Sequence, residues 1–215
     1  MSIPLEACDT SFVPDTTAAA RPLWVRITHW LLAFAVIIMT FSGWAIYNAS
    51  PIFPEFSFPT QLTLGGWLGG AIQWHFAAMW LIFCCGMTYL LLNLVTLRLF
   101  RQFFPLSAKT FARDLYAALC GKLAHDASGA YNAVQKAAYL AACVALIVLV
   151  LSGLAIWKPV QLALLRELMG GYDTARVVHF FAMAFITAFF IVHIVMVALV
   201  PRSLIAMVTT PRKQK

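Results

Sequence analysis

The sequence predicts an all-α integral membrane protein, a bundle of four transmembrane helices with an additional amphipathic segment on the inner surface. Of its 215 residues, 62% are hydrophobic and only 11% are charged, too few to cover a soluble domain of this size. Four stretches contain no Asp, Glu, Lys or Arg, and each has the roughly 20 residues that a helix needs to cross a bilayer. These stretches are 27–47, 75–97, 137–157 and 177–200.

The first stretch is predicted to be a retained helix and not a cleaved signal peptide. The residues before it include Glu6, Asp9 and Asp15, and the run of small residues at 18–20 precedes the apolar segment, whereas a cleavage site would follow it. The predicted organisation is therefore an N-terminal tail over 1–26, a membrane domain over 27–200 and a basic tail over 201–215.

The distribution of Lys and Arg predicts the orientation. The two tails and the central loop with its margins carry 12 of the 15 basic residues, and the opposite side carries Lys158, Arg166 and Arg176. Because positively charged loops stay on the cytoplasmic side, both termini are expected there. The same distribution explains the net charge of +7 without any nucleic-acid partner.

Three connecting segments join the predicted helices. The inner segment 98–126 is basic and repeats an apolar residue every four positions, which is typical of a helix lying on the membrane surface. The outer loops are 48–74 and 158–176; both contain glycine pairs, and a short helix is expected over 160–169.

The first and third helices share a short sequence echo. Ser42-Gly43-Trp44-Ala45-Ile46 corresponds to Ser152-Gly153-Leu154-Ala155-Ile156, and both helices run outward. The echo is too short to establish a duplication, but it indicates equivalent packing positions.

Four of the five histidines lie in the charge-free stretches, where an ionisable side chain is costly and is a candidate functional residue. His179 and His193 are 14 residues apart on one helix, which places them on nearly the same face and roughly 21 Å apart. At matching depth, His193 meets His29 on the inner side and His179 meets His75 on the outer side.

Two bis-histidine sites suit two haem irons. Zinc usually adds cysteine or carboxylate ligands, and the charge-free stretches contain no Asp or Glu. The five cysteines form no C-x-x-C-H motif for covalent haem attachment. We therefore expect two haems b with His29, His75, His179 and His193 as axial ligands. His125, in the inner segment, has no such partner and is interpreted as a surface residue.

These motifs resemble one family, the di-haem b-type cytochrome subunits of nickel–iron hydrogenases, formate dehydrogenases and thiosulfate reductases. The resemblance spans roughly 22–200 and favours the thiosulfate-reductase-like branch, although the inner loop is longer and the outer loops match no subgroup closely. It rests on Arg26-Ile27-Thr28-His29-Trp30, Tyr131-Asn132-Ala133-Val134-Gln135-Lys136, Trp74-His75-Phe76, Gly170-Gly171-Tyr172 and Ala175-Arg176-Val177-Val178-His179-Phe180 with His193.

The resemblance implies an electron-transfer subunit in the bacterial cytoplasmic (inner) membrane. Its expected substrate is a quinone (ubiquinone or menaquinone), and its expected partner is a peripheral redox subunit on the periplasmic side. Asn132, Gln135 and Lys136 share one helical face at the cytoplasmic boundary and offer donors for quinone oxygens. Together with the resemblance, this face predicts a quinone site beside the inner haem.

Two other functions fit parts of the pattern. A self-sufficient four-helix cytochrome b enzyme that oxidises or reduces a small diffusible molecule, such as superoxide, would use the same histidines. A transporter with histidine proton relays is disfavoured, because the apolar stretches hold no acidic residue.

Overall fold

The computed structural model describes residues 22–95, 110, 112–114, 116, 133–199 and 201–208. Within them all regular structure is helical, and four helices are long and apolar enough to cross a membrane. These are α1 (Leu23–Ala49), α2 (Leu68–Val95), α3 (Ala133–Trp157) and α5 (Tyr172–Leu199). The predicted class, an all-α bundle with four membrane spans, is confirmed.

The helices pack as two pairs, α1 with α2 and α3 with α5. Between the pairs, the described backbones seldom approach within 8 Å. Rings make the contacts instead: Tyr47 lies 5.0 Å from Phe180, and Phe76 lies 5.1 Å from Trp157, measured between ring centres. The space between the pairs is therefore spanned by large planar side chains.

Small residues allow the close approach of the helices. Glycines aside, the residues with no exposed surface in the described part of the chain are all Ala or Ser. Small side chains let helix backbones approach closely in lipid, where no hydrophobic force drives helices together. The completely buried residues are Ala35, Ser42, Ala71, Ser152, Ala155 and Ala175.

The first outer loop folds back onto the end of α1. Asn48 donates its side-chain amide to the Phe58 carbonyl (2.8 Å) and accepts from the Phe58 backbone N–H (2.9 Å). The Phe58 ring stacks on Trp44 at 4.6 Å, nearly parallel. Gly65 closes the loop with φ +115°, and a Cβ there would lie 2.3 Å from the Ala71 backbone nitrogen, so this turn requires glycine.

The outer ends of α1 and α5 are held together by a polar contact. The Arg176 guanidinium donates to the Ser50 carbonyl and, at 3.2 Å, to the Ser50 hydroxyl. Nearby, the short helix α4 (Ala163–Leu168) forms within the predicted 160–169 segment. Its Leu164 and Leu168 are exposed on one side together with Val160.

A short helix, α6 (Pro201–Val208), follows α5 and returns to the start of α1. The Arg26 guanidinium donates to the carbonyls of Met207 (3.0 Å) and Val208, and the Trp30 indole donates to the Met207 carbonyl (3.3 Å). These donors satisfy carbonyls that the last turn of a helix leaves free. The sequence predicted only a basic tail over 201–215, so the helix α6 was not among the predicted elements.

Several predictions from the sequence concern residues outside the described part. The amphipathic inner-surface segment over 98–126 is described only at 110, 112–114 and 116, which are helical. His125 and Asn132 lie outside the described residues.

Candidate functional site

The structure brings His29 and His193 together. Their ring centres are 6.2 Å apart, with the ring planes inclined at 53°. His29 lies near the start of α1 and His193 near the end of α5, so both belong to the end of the bundle that carries Arg26 and α6.

His75 and His179 lie at the opposite end of the bundle, each seven residues after the first residue of its helix, α2 or α5. Each is bonded to a serine on the helix paired with its own. Ser42 Oγ lies 3.0 Å from His75 Nδ1, and Ser152 Oγ lies 3.0 Å from His179 Nδ1.

Both serines are fixed by their own helices. Ser42 donates its hydroxyl proton to the Ile38 carbonyl at 2.6 Å, and Ser152 donates to the Val148 carbonyl at 2.6 Å. Serine commonly makes this bond to the carbonyl four residues earlier within a helix. Since both serines are completely buried, each holds its imidazole from a set position.

The adjacent glycines leave room for the same two imidazoles. A Cβ on Gly43 would lie 3.5 Å from His75 Cε1, and a Cβ on Gly153 would lie 3.2 Å from His179 Cε1. The Ser-Gly echo therefore has a common role in which serine bonds Nδ1 and glycine makes space for the ring. The sequence interpretation found the echo but assigned it only to packing, because the contact lies between helices.

The histidine pairs fit haem better than a free metal ion. Among the described residues, no group of three or more His, Cys, Asp or Glu side chains could hold a metal ion by itself. A porphyrin supplies four equatorial nitrogens, so two imidazoles complete the coordination. His29 and His193, with ring centres 6.2 Å apart, would be the two residues that hold such a group at the inner end.

A chain of rings connects the start of α3 to this inner pair. Phe189 stacks on His193 at 6.0 Å, with the planes 13° apart, and Tyr139 lies 6.1 Å from Phe189. Gln135 and Lys136 lie one turn before Tyr139 on α3, and both are partly buried. Gln135 and Lys136, two of the three residues predicted to bind quinone, are thus on the helix whose Tyr139 contacts Phe189, and Phe189 in turn contacts His193.

Four apolar helices that place two imidazoles at each end of the bundle are typical of a membrane-bound cytochrome. Residues 20–210 match the family model described as prokaryotic cytochrome b561, and the chain belongs to this family. The family implies haem b binding, and the chain is a multi-pass membrane protein.

One relative is similar over nearly its whole length. A protein of Azospira oryzae (strain ATCC BAA-33 / DSM 13638 / PS), named putative protein-methionine-sulfoxide reductase subunit YedZ1, is 57% identical over 190 residues. The match covers 88% of this chain and 96% of the relative. No solved structure matches the chain. These matches support the b-type cytochrome resemblance but not its thiosulfate-reductase branch.

The two glycine contacts generate a paired prediction. Gly153→Ala would place a methyl group 3.2 Å from His179 Cε1 and force the ring to move, whereas the 3.5 Å contact in Gly43→Ala is an ordinary van der Waals distance. We expect Gly153→Ala to shift the low-spin electron paramagnetic resonance signal of one haem, and Gly43→Ala to leave the spectrum close to that of the wild type. Equal spectra for both variants would contradict the contact.

Proposed function

We propose that this cytochrome carries electrons across the bilayer between a quinone and a peripheral oxidoreductase, using two bis-histidine haems b. The observation that carries the proposal is the placement of two histidines at each end of one bundle, with the inner two in ring contact. The proposed outer pair is His75 with His179, the proposed inner pair is His29 with His193, and α5 contributes one member to each.

Haem and protein would have different roles in this function. Bound haem supplies one-electron redox chemistry, and the protein supplies axial ligands, burial and orientation. His179 and His193 are separated by 14 residues of continuous helix, or roughly 21 Å along the axis. A single rigid helix therefore fixes the distance between the two sites.

Single histidine variants test the pairing. We expect His75→Ala or His179→Ala to remove the outer haem and leave the inner one, and His29→Ala or His193→Ala to do the reverse, because each haem would lose one axial ligand. The measurement is the haem-to-chain ratio with the reduced spectrum of each purified variant. Loss of the same haem from His29→Ala and His179→Ala would contradict the pairing.

The proposed membrane domain is 27–200, with both termini on the cytoplasmic side of a bacterial inner membrane. The uneven distribution of basic residues supports this orientation, with 12 of 15 on the side of the tails and the central loop. In this orientation His29 and His193 lie in the cytoplasmic half of the membrane, and His75 and His179 lie in the periplasmic half.

The proposed quinone site lies beside the inner pair. Asn132, Gln135 and Lys136 supply donors for the two quinone oxygens and a route for protons at the membrane boundary. The ring chain from Tyr139 through Phe189 to His193 supports the location, since it joins this end of α3 to the inner pair. Polar first turns and lysines near the membrane boundary are common, so the ring chain is the more specific support.

Replacing Lys136 or Asn132 by Leu should slow quinone-linked haem turnover by about tenfold, or roughly 1.4 kcal/mol, while both haems stay bound. Stopped-flow haem reduction by quinol is the measurement. Lys158→Leu is the matched control, because Lys158 lies over the Trp157 ring at the outer end of α3, opposite the proposed quinone site. Unchanged kinetics in both variants, with intact spectra, would move the quinone elsewhere.

The proposed partner is a peripheral reductase that acts on methionine sulfoxide. The name of the Azospira relative, a methionine-sulfoxide reductase subunit, and its 57% identity to this chain favour this class over a thiosulfate-reductase-like partner. The electron balance is complete: oxidation of quinol releases two electrons and two protons, and reduction of a sulfoxide to a thioether and water consumes two of each. Electrons would then run from the inner pair to the outer pair.

The outer surface offers apolar side chains for such a partner. Trp67 in the first outer loop is 71% exposed, and Leu164 and Leu168 on α4 are 76% and 74% exposed. Much of the first loop is itself packed, because Phe58 is clamped by Asn48 and stacked on Trp44. The loop therefore presents its exposed residues on an ordered base.

We expect chemical cross-links between this chain and its partner to map to 48–74 and 158–176. The basis is the position of the outer pair beneath these loops. Cross-linking followed by mass spectrometry of the complex isolated from membranes is the measurement. Links confined to 98–126 would instead place the partner on the cytoplasmic side.

A further inference from the structure

The two Ser–His contacts repeat in detail. Each serine lies on an outward-running helix, is completely buried and bonds the Nδ1 atom of a histidine on the adjacent inward-running helix at 3.0 Å. The carbonyls three residues before the serines, those of Met39 and Leu149, lie 3.3 Å from the serine Oγ atoms. The repeat thus includes a hydroxyl, a carbonyl and a glycine at each site.

The hydrogen-bond geometry determines which imidazole nitrogen carries the proton. A serine hydroxyl has a single proton, and Ser42 and Ser152 direct theirs at the carbonyls of Ile38 and Val148. Their oxygens can therefore only accept from the histidines. Both Nδ1 atoms must then carry protons, which leaves the lone pair of each imidazole on Nε2.

The inner pair has a different environment. The Nδ1 atom of His29 is buried and has no hydrogen-bond partner. A donor hydrogen bond from the non-ligating nitrogen raises the basicity of a ligating imidazole and fixes its tautomer and ring orientation. The two ends of the bundle therefore supply axial ligands of unequal donor strength.

We propose that Ser42 and Ser152 are positioning residues that hold His75 and His179 as Nε2 ligands and lower the reduction potential of the haem they bind. The inference rests on the proposed function, since it requires haem at the outer pair. More basic ligands stabilise the oxidised iron, and a lower potential makes the reduced outer haem a stronger donor towards a periplasmic partner. The Ser-Gly repeat thus sets an electronic property of one haem.

The test is a spectroelectrochemical titration of the full-length protein in detergent. We expect Ser42→Ala and Ser152→Ala each to raise the reduced-to-oxidised ratio of the outer haem about threefold at a fixed ambient potential, equivalent to about 28 mV for a one-electron couple. The shift is modest because each variant removes the serine hydrogen bond from only one of the two outer histidines. The inner haem should keep its ratio, and the single-haem histidine variants assign the two components.

Thr88→Ala is the matched control. Thr88 donates to the Cys84 carbonyl at 2.8 Å in the same manner as the serines and is on an exposed part of α2. Its removal should leave both ratios unchanged. If an alanine variant loses haem, the titration is repeated with Ser→Cys, which is slightly larger than serine and accepts hydrogen bonds only weakly, and the same direction of shift is expected.

The outcomes separate this inference from the proposed function. Three results would overturn the role of the serines and leave the proposed function standing. They are unchanged ratios in both serine variants with two haems bound, equal shifts of both haems, or an equal shift in Thr88→Ala. A wild-type protein without haem would overturn the proposed function itself.

Discussion

The cost of placing imidazoles among hydrocarbon chains is the constraint on which the other features depend. Polar side chains within the membrane require partners, and an ionisable group without one is strongly disfavoured. Ser42 and Ser152 partner one nitrogen of His75 and one of His179. A haem iron would partner the others, which explains why histidines occur in pairs across helices that otherwise make few backbone contacts.

The packing of the helices follows from the same requirement. The α1–α2 and α3–α5 pairs are close because their most deeply buried side chains are those of Ala and Ser, whereas the pairs are separated from one another by rings. A bundle packed tightly on all sides would leave no width for a macrocycle. The single helix α5 then carries His179 and His193 and holds both sites at one fixed spacing.

The sequence was sufficient for features that depend on periodicity and length. The four spans follow from charge-free stretches, and the meeting of His29 with His193 follows from depth along antiparallel helices. The Ser–His bonds could not be predicted, because the partners are 33 and 27 residues apart and their contact depends on helix rotation. The helix α6 was missed because its capping donor, Arg26, lies 181 residues away from Met207.

The most direct test of two bis-histidine haems is the haem content and spin state of the purified wild-type protein from haem-replete cells. We expect two non-covalently bound haems b per chain, both low-spin in electron paramagnetic resonance because each iron would have two histidine ligands. A ratio of one haem per chain, or a high-spin signal from a five-coordinate iron in the intact protein, would contradict it.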